Sequence, residues 1–246
     1  MAVKLLCLLN ISLSTKSAYM FNIKWIKVIA ILVCFIPGFY AQSQNKLDER
    51  IHASTKVLEE FSKMTENIPS QLLQQAQGII IVPKLINAGF VIGGKRGRGI
   101  AMAKSGDSTW SNPVFMTMTA GSVGLQIGVQ SIDLILVILH RETLDKIGTG
   151  SFTLGGDISV AAGPVGRNSS ASTDYKFEAE VYSYSRSKGL FAGISLSGSI
   201  LAVDATSDTS FYGEDLDAKT LFSDDSRNSS SSVVALKKAL QALYVK

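Results

Sequence analysis

The chain has 246 residues, enough for one sizeable domain or two small ones, and 46% apolar residues support a buried core. Its formal charge of +4 comes from four lysines in residues 1–43; from Gln44 onward 20 Lys and Arg balance 20 Asp and Glu. A neutral body argues against nucleic-acid binding by bulk charge.

Lys24 and Lys27 precede the 14-residue uncharged run VIAILVCFIPGFYA, which is short for a membrane span. A basic flank, a short apolar stretch and the small residues Ala41 and Ser43 have the pattern of a secretory signal peptide over residues 1–43. Residues 1–19 precede Met20 and form an upstream extension or an earlier start. Export to a periplasm or cell envelope is the expectation. A lipoprotein alternative places the anchor on Cys34, but Val33 is larger than the small residue such processing prefers. Cys7 and Cys34 are the two cysteines, so a cleaved chain has no disulfide framework and no thiol chemistry.

Leu47, Ile51, Leu58, Phe61 and Met64 recur at helical spacing over residues 45–66, with Asp48, Glu49, Glu59 and Glu60 on the other faces. That predicts an amphipathic helix that packs on a core; a helix lying on a membrane would prefer a Lys/Arg-rich polar face. Pro69-Ser70 predicts a second, short helix through Gln77 with Gly78 as its C-cap.

Residues 79–203 change character. GIIIVP, GFVIGG, GIAMAK, PVFMTMT, SVGLQIGVQ and IDLILVILH have strand composition, as do FTLGGDISVAAG, FEAEVYSYS and GLFAGISLSGSILAVD. One short helix, Arg141–Ile147, interrupts them before Gly148. Glycines inside these runs, among them Gly121, Gly124, Gly128, Gly155, Gly156, Gly193 and Gly198, suggest a strongly bent or closed sheet. The expected fold class is α+β: a curved, mostly antiparallel, sandwich- or barrel-like sheet with an N-terminal amphipathic helix and short flanking helices. The domain plan is a leader over 1–43, one domain over 44–225, and a Ser-rich linker with a C-terminal helix over 226–246. In that last helix Val233, Leu236, Leu240 and Leu243 share a face, and serines cap its start.

Gly89 to Lys95 nearly spells a phosphate-binding loop, but Arg96 stands where Mg²⁺ would need a hydroxyl, and Phe90, Val91 and Ile92 belong to a strand. Gly93-Gly94-Lys95-Arg96-Gly97 instead predicts a β-hairpin turn with a basic tip. Charge is segregated along the chain: no acid lies between Glu66 and Asp107, whereas residues 204–225 hold seven acids and one Lys.

Catalytic motifs fit poorly. Gly193-Ile194-Ser195-Leu196-Ser197 lacks the final glycine of a nucleophile elbow and sits in a strand. Ser185-Arg186-Ser187-Lys188 matches S-x-x-K by spacing alone. His52 and His140 are the only histidines, and nothing marks either as a triad member. Asp204, Asp208, Glu214, Asp215 and Asp217 lack EF-hand order. No cofactor or metal is expected.

The runs GIIIVPKLINAGFVIGGKRGRGIAMAK, WSNPVFMTMTAGSVGLQIGVQSIDLILVI, FTLGGDISVAAGPVGR, YSYSRSKGLFAGISLSGSIL and FYGED resemble the SYLF domain family, also called the Ysc84 actin-binding family, over roughly residues 45–222. The likeness is to its bacterial exported branch, which has no SH3 or FYVE module. The resemblance implies a non-enzymatic lipid-binding domain. Eukaryotic relatives bind phosphoinositides, some through an amphipathic helix, and some bind actin; for an exported chain, anionic envelope phospholipids are the corresponding partner. The residues expected to meet headgroups are Lys95, Arg96 and Arg98 at the first basic turn, with Lys84 near in sequence, and Arg186 and Lys188 at a second, in YSRSKGLF. Basic turns also serve solubility at strand ends. A protein-interaction scaffold is the alternative, and a hydrolase using Ser195 or Ser187 with His140 the remote one.

Cleavage after Ala41 or Ser43 predicts a mature protein beginning at Gln42 or Gln44. Intact-mass measurement of the envelope fraction checks this; an unlipidated mass that retains WIKVIAILVCFIPG refutes cleavage, and a diacylglyceryl adduct supports the anchor on Cys34.

Overall fold

In the computed structural model, the described residues are 36–64, 68–105, 109–164, 177–191, 193–227 and 230–244, with side chains at 36–43, 90–92, 122–127 and 244 left undescribed. The expected leader and its cleavage points lie outside the described residues or, from Ile36, within backbone alone. Gln44–Lys246 form one compact unit.

Helix α1 (Ile36–Ser62) and the short α2 (Ser70–Gln75) lead into two very long strands, β1 (Gly78–Ala103) and β2 (Val114–Ile138). Then come α3 (Arg141–Gly148), β3 (Ser151–Thr153), β4 (Val160–Ala162), β5 (Val181–Ser187), β6 (Leu190–Phe191) and β7 (Ile200–Val203). Helices α4 (Ala205–Tyr212), α5 (Ala218–Ser223) and α6 (Ser231–Tyr244) close the chain. The fold is α+β, with a curled, mostly antiparallel sheet forming a half-barrel. Its order is β3-β7-β2-β5-β4, with β1 paired to β2 and β6 to β5. Among the described strands only β4 and β5 run parallel.

Side-chain alternation sends each strand's residues into two cores. Ile79, Ile81, Ile100, Met102, Phe115, Ile135, Val137 and Tyr184 meet α1, α2 and α6 on one face. Ile80, Val82, Ala101, Met116, Leu134, Leu136 and Leu201 line the other, where α3 and α5 cover them. Burial on both faces explains why IDLILVIL shows no polar alternation. In α1, Leu47, Ile51, Leu58 and Phe61 are buried as their spacing predicts. In α6, Val233, Leu236, Leu240 and Leu243 are buried against the same core, and Ser232 Oγ donates to Asp48 Oδ1 of α1 at 2.6 Å.

Two expectations about glycine are corrected. Gly93-Gly94-Lys95-Arg96-Gly97 is not a turn: β1 runs through it, pairing Gly93 with Ser122, Gly94 with Gly121 and Gly97 with Met118. Neither Gly93 nor Gly94 has the positive φ of a primed hairpin turn. The connection lies instead at 104–113, closed by a Lys104–Trp110 bridge. What this glycine-rich stretch supplies is space. The long ladder bends back so that the two ends of β1 cross. A Cβ on Gly97 would stand 2.5 Å from Val82 Cγ1, and one on Gly99 would overlap the Ile81 carbonyl oxygen. Gly78 is likewise no C-cap. The helix before it ends at Gln75 with Ala76 extended, and Gly78 starts β1 with a Cβ position only 2.7 Å from Leu144 Cδ2.

The crossing predicts that Gly99→Ala costs about 2–4 kcal/mol, a fall in Tm of several degrees, because backbone must move. Gly121→Ala, with nothing within 4 Å of its Cβ position, is expected to stay within about 0.5 kcal/mol of wild type. Thermal denaturation that leaves the two variants indistinguishable defeats the close-approach account.

Candidate functional site

The middle of the β1–β2 ladder projects as a two-stranded arm. β2 pairs on its second edge with β7 at Met116–Thr119 and with β5 at Asp133–Ile138, and with neither between. Ile86 and Val129 are exposed there, Val129 at 73%. Register slips between Val82 and Leu85 and between Gly89 and Val91 mark bulges in β1, irregularities of the kind that bend a strand locally.

The six expected contact residues do not gather at two basic turn tips. Consecutive side chains on a strand point to opposite faces. Arg96 and Arg98 therefore share the face of Ile100 and are exposed, while Lys95 points the other way and donates its Nζ to the Ser195 carbonyl oxygen. Partial burial lowers the Lys95 pKa. Lys84 sits on the first bulge with φ 49°, exposed, its backbone N–H donating to Asp133 Oδ1 at 3.0 Å. Lys188 (φ 51°) and Gly189 (φ 82°) make the left-handed turn between β5 and β6, and Lys188 is exposed.

Arg186 is not a turn cation. It lies inside β5, pairs with Asp133 at 2.7 Å and with Glu60 of α1, and stacks 5.7 Å from the Phe61 ring centroid. Burial would lower its pKa, but the hydrogen bonds and charges of Asp133 and Glu60 outweigh it and raise the value. It ties α1 to the sheet. An open cavity of about 610 Å³ adjoins it, lined also by Lys63, Met64, Leu190 and Phe191.

A second polar cluster has no signature in one-dimensional spacing. Arg50 of α1 donates to Asp204 at 3.2 Å and lies 5.1 Å from the Phe115 ring centroid. Desolvation lowers the Arg50 pKa, the Asp204 contact opposes that, and the charge of Arg98 reaches it and lowers it further. Asp204 also caps α4 by accepting from the Ser207 N–H. Asp208, 1% exposed, accepts from the Phe115 N–H at 2.9 Å; its Oδ2 is buried without a partner among the described residues. Desolvation pushes its pKa up to about 7 against the Phe115 hydrogen bond. A signal for this cluster existed in the acidic run after β7, but its partners lie on α1 and β2, far away in the chain.

The remaining acids serve local structure. Asp217 caps α5 through the Thr220 N–H at 2.7 Å, and Glu214 pairs with Arg227. Among the described residues no cluster of three ligating side chains could hold a metal. Ser187 Oγ donates to the Ser131 carbonyl at 3.3 Å, Ser195 offers its carbonyl to Lys95, and His52 and His140 are exposed. No hydrogen bond joins these serines to these histidines among the described residues.

The family model described as "Ysc84: Las17-binding protein actin regulator" matches residues 119–243, from near the start of β2 to α6. A Schizosaccharomyces pombe relative named "SH3 domain-containing protein PJ696.02" is 38% identical over 161 residues, 64% of this chain and 37% of the relative. "LAS seventeen-binding protein 3" of Saccharomyces cerevisiae is 33% identical, over 74% of this chain and 40% of the relative. The human "SH3 domain-containing YSC84-like protein 1" is 32% identical over 74% of this chain and 56% of the relative. The chain thus spans roughly half or less of the length of these relatives.

Asp208 makes stability depend on pH. Its folded pKa lies above its unfolded one, so the folded state holds a proton that the unfolded chain releases between about pH 4 and 7. Stability falls as pH rises through that window, by at most about 4 kcal/mol, and levels off above it. Asp208→Asn keeps an acceptor for the Phe115 N–H and is expected to flatten the slope. Denaturant melts of both proteins at pH 5 and pH 8 check this; an unchanged slope in the variant refutes the assignment to Asp208.

Proposed function

The chain belongs to the Ysc84 domain family, also called the SYLF family, and from that premise we propose that it works without catalysis, as a protein-interaction module that docks filamentous actin. The observation that carries this reading is the exposed arm. Both sheet faces are buried under helices, yet β1 and β2 extend beyond their neighbours with apolar Ile86 and Val129 turned to solvent, and the exposed Arg96 and Arg98 flank the arm where β2 meets β7. Names among the relatives, a Las17-binding protein and an actin regulator, support the same class of partner.

A second reading, contact with anionic phospholipid, is favoured by one specific observation. Arg96, Arg98, Lys84 and Lys188 are exposed and enter no ion pair among the described residues. On this reading the chain is exported and meets anionic lipid in a cell envelope. Each cation near such a surface contributes about 1 kcal/mol. With Lys95 and Arg186 engaged internally, the β1 face offers two cations, about 2 kcal/mol or roughly thirtyfold in partitioning.

Co-sedimentation of the full chain separates the readings. With F-actin it is expected to pellet, and Ser195→Ala, Ser187→Ala and His140→Ala are expected to leave that unchanged. Failure to pellet with F-actin, alongside pelleting with phosphatidylglycerol but not phosphatidylcholine vesicles, overturns the first reading in favour of the second. In that case Arg96→Gln with Arg98→Gln should lower vesicle partitioning about thirtyfold.

A further inference from the structure

We propose that the outer edge of β1 over residues 86–96 accepts an acidic, extended peptide as an added strand. The proposal rests on the protein-docking reading and names the chemistry of the partner. Among the described strands β1 pairs with β2 alone, so along its other edge alternate residues direct N–H and C=O groups away from the described strands. Toward its ends that edge is closed. The Lys104 N–H donates to the Gln77 carbonyl at 2.8 Å, and Gly99 sits against the Ile81 carbonyl. Among the described strands none pairs with the central stretch on this edge, and Gly89, Gly93 and Gly94 place no side chain of their own along its backbone.

Charge selects the occupant. Arg96 and, just beyond, Arg98 are exposed on one face, and no acid occurs in β1 or within residues 67–106. The β2 segment paired with this stretch, Thr119–Ser131, carries no charged residue, so nothing on the paired strand offsets these cations. A second copy of the chain would lay one basic strand against another. A segment carrying Glu or Asp near Arg96 and an apolar residue near Ile86, 42% exposed, satisfies both the backbone and the charges. Strand addition of this kind takes affinity from main-chain hydrogen bonds and specificity from alternate side chains. Eleven residues of strand span about 36 Å, so a peptide of ten to twelve residues fills the edge.

The test uses the full chain and three synthetic dodecapeptides: alternating Glu and Val, alternating Lys and Val, and the Glu–Val peptide with every amide N-methylated. Fluorescence anisotropy is expected to give at least tenfold tighter binding for Glu–Val than for either control. Hydrogen exchange should slow at residues 86–96 on its addition. Arg96→Glu with Arg98→Glu should weaken it at least tenfold with Tm unchanged. Equal binding of the N-methylated peptide reduces the contact to charge alone and overturns the proposal. So does a lack of protection at 86–96, protection by phosphatidylglycerol vesicles but not peptide, or edge protection that tracks dimerisation of the chain. F-actin pelleting that survives the double substitution while the Glu–Val peptide fails to bind sinks the edge but leaves the docking reading standing; peptide binding without F-actin pelleting does the reverse.

Discussion

The architecture depends on one close approach, the crossing of the two ends of β1. Residues 78–85 and 97–103 belong to one strand, yet they pack against each other because Gly97 and Gly99 present no Cβ to Val82, Leu85 and the Ile81 carbonyl. Without that approach the long β1–β2 ladder would lie open as a ribbon and expose one of its faces. With it, the ladder encloses Val82, Leu85, Met118 and Leu134, and the outer face is left for α1, α2 and α6. Burying a Leu or Ile side chain contributes about 1.5–3 kcal/mol, so two missing methyl groups govern the placement of dozens of large side chains.

Helices were legible in the sequence where periodicity was long. Leu47, Ile51, Leu58 and Phe61, and Val233, Leu236, Leu240 and Leu243, are buried as spacing predicts. The fold class was legible too, from strand density and internal glycine. Strand boundaries were not. A glycine pair that permits positive φ and one that admits a neighbouring backbone have the same letters, and only the contacts made across the fold distinguish them. The same ambiguity separated the six expected basic residues. Proximity in sequence grouped Lys95 with Arg96, and the pleat put them on opposite faces. Arg186 carried a formal charge in a turn-like context, while Glu60, its partner, lies 126 residues away.

The charges of the unit fall into an inner and an outer set. Inside, Arg186 with Glu60 and Asp133, and Arg50 with Asp204, fasten α1 to the sheet at two points along its length. Buried pairs of this sort gain little over apolar replacements, yet losing one partner is costly. They therefore specify where α1 docks more than how firmly. Asp208 adds a carboxyl whose surroundings favour its proton. Outside, Arg96, Arg98, Lys84 and Lys188 keep their charge available. The cations exposed to solvent are thereby a different set from those that hold α1 to the body.

The ladder also implies an order of assembly. Its register starts beside the 104–113 connection, where Ala101 faces Val114, and ends where Gly78 faces Ile138, the pair farthest apart in the chain. Loop closure is cheapest at the near end, so pairing can propagate outward from the connection like a closing zipper. The two ends of β1 cannot meet until that front has passed the arm and reached Leu85 and Val82. The β7 contact at Met116–Thr119 needs residues synthesised much later. A nascent chain thus holds a half-closed ribbon, with its inner face uncovered, until the C-terminal third emerges to seal it.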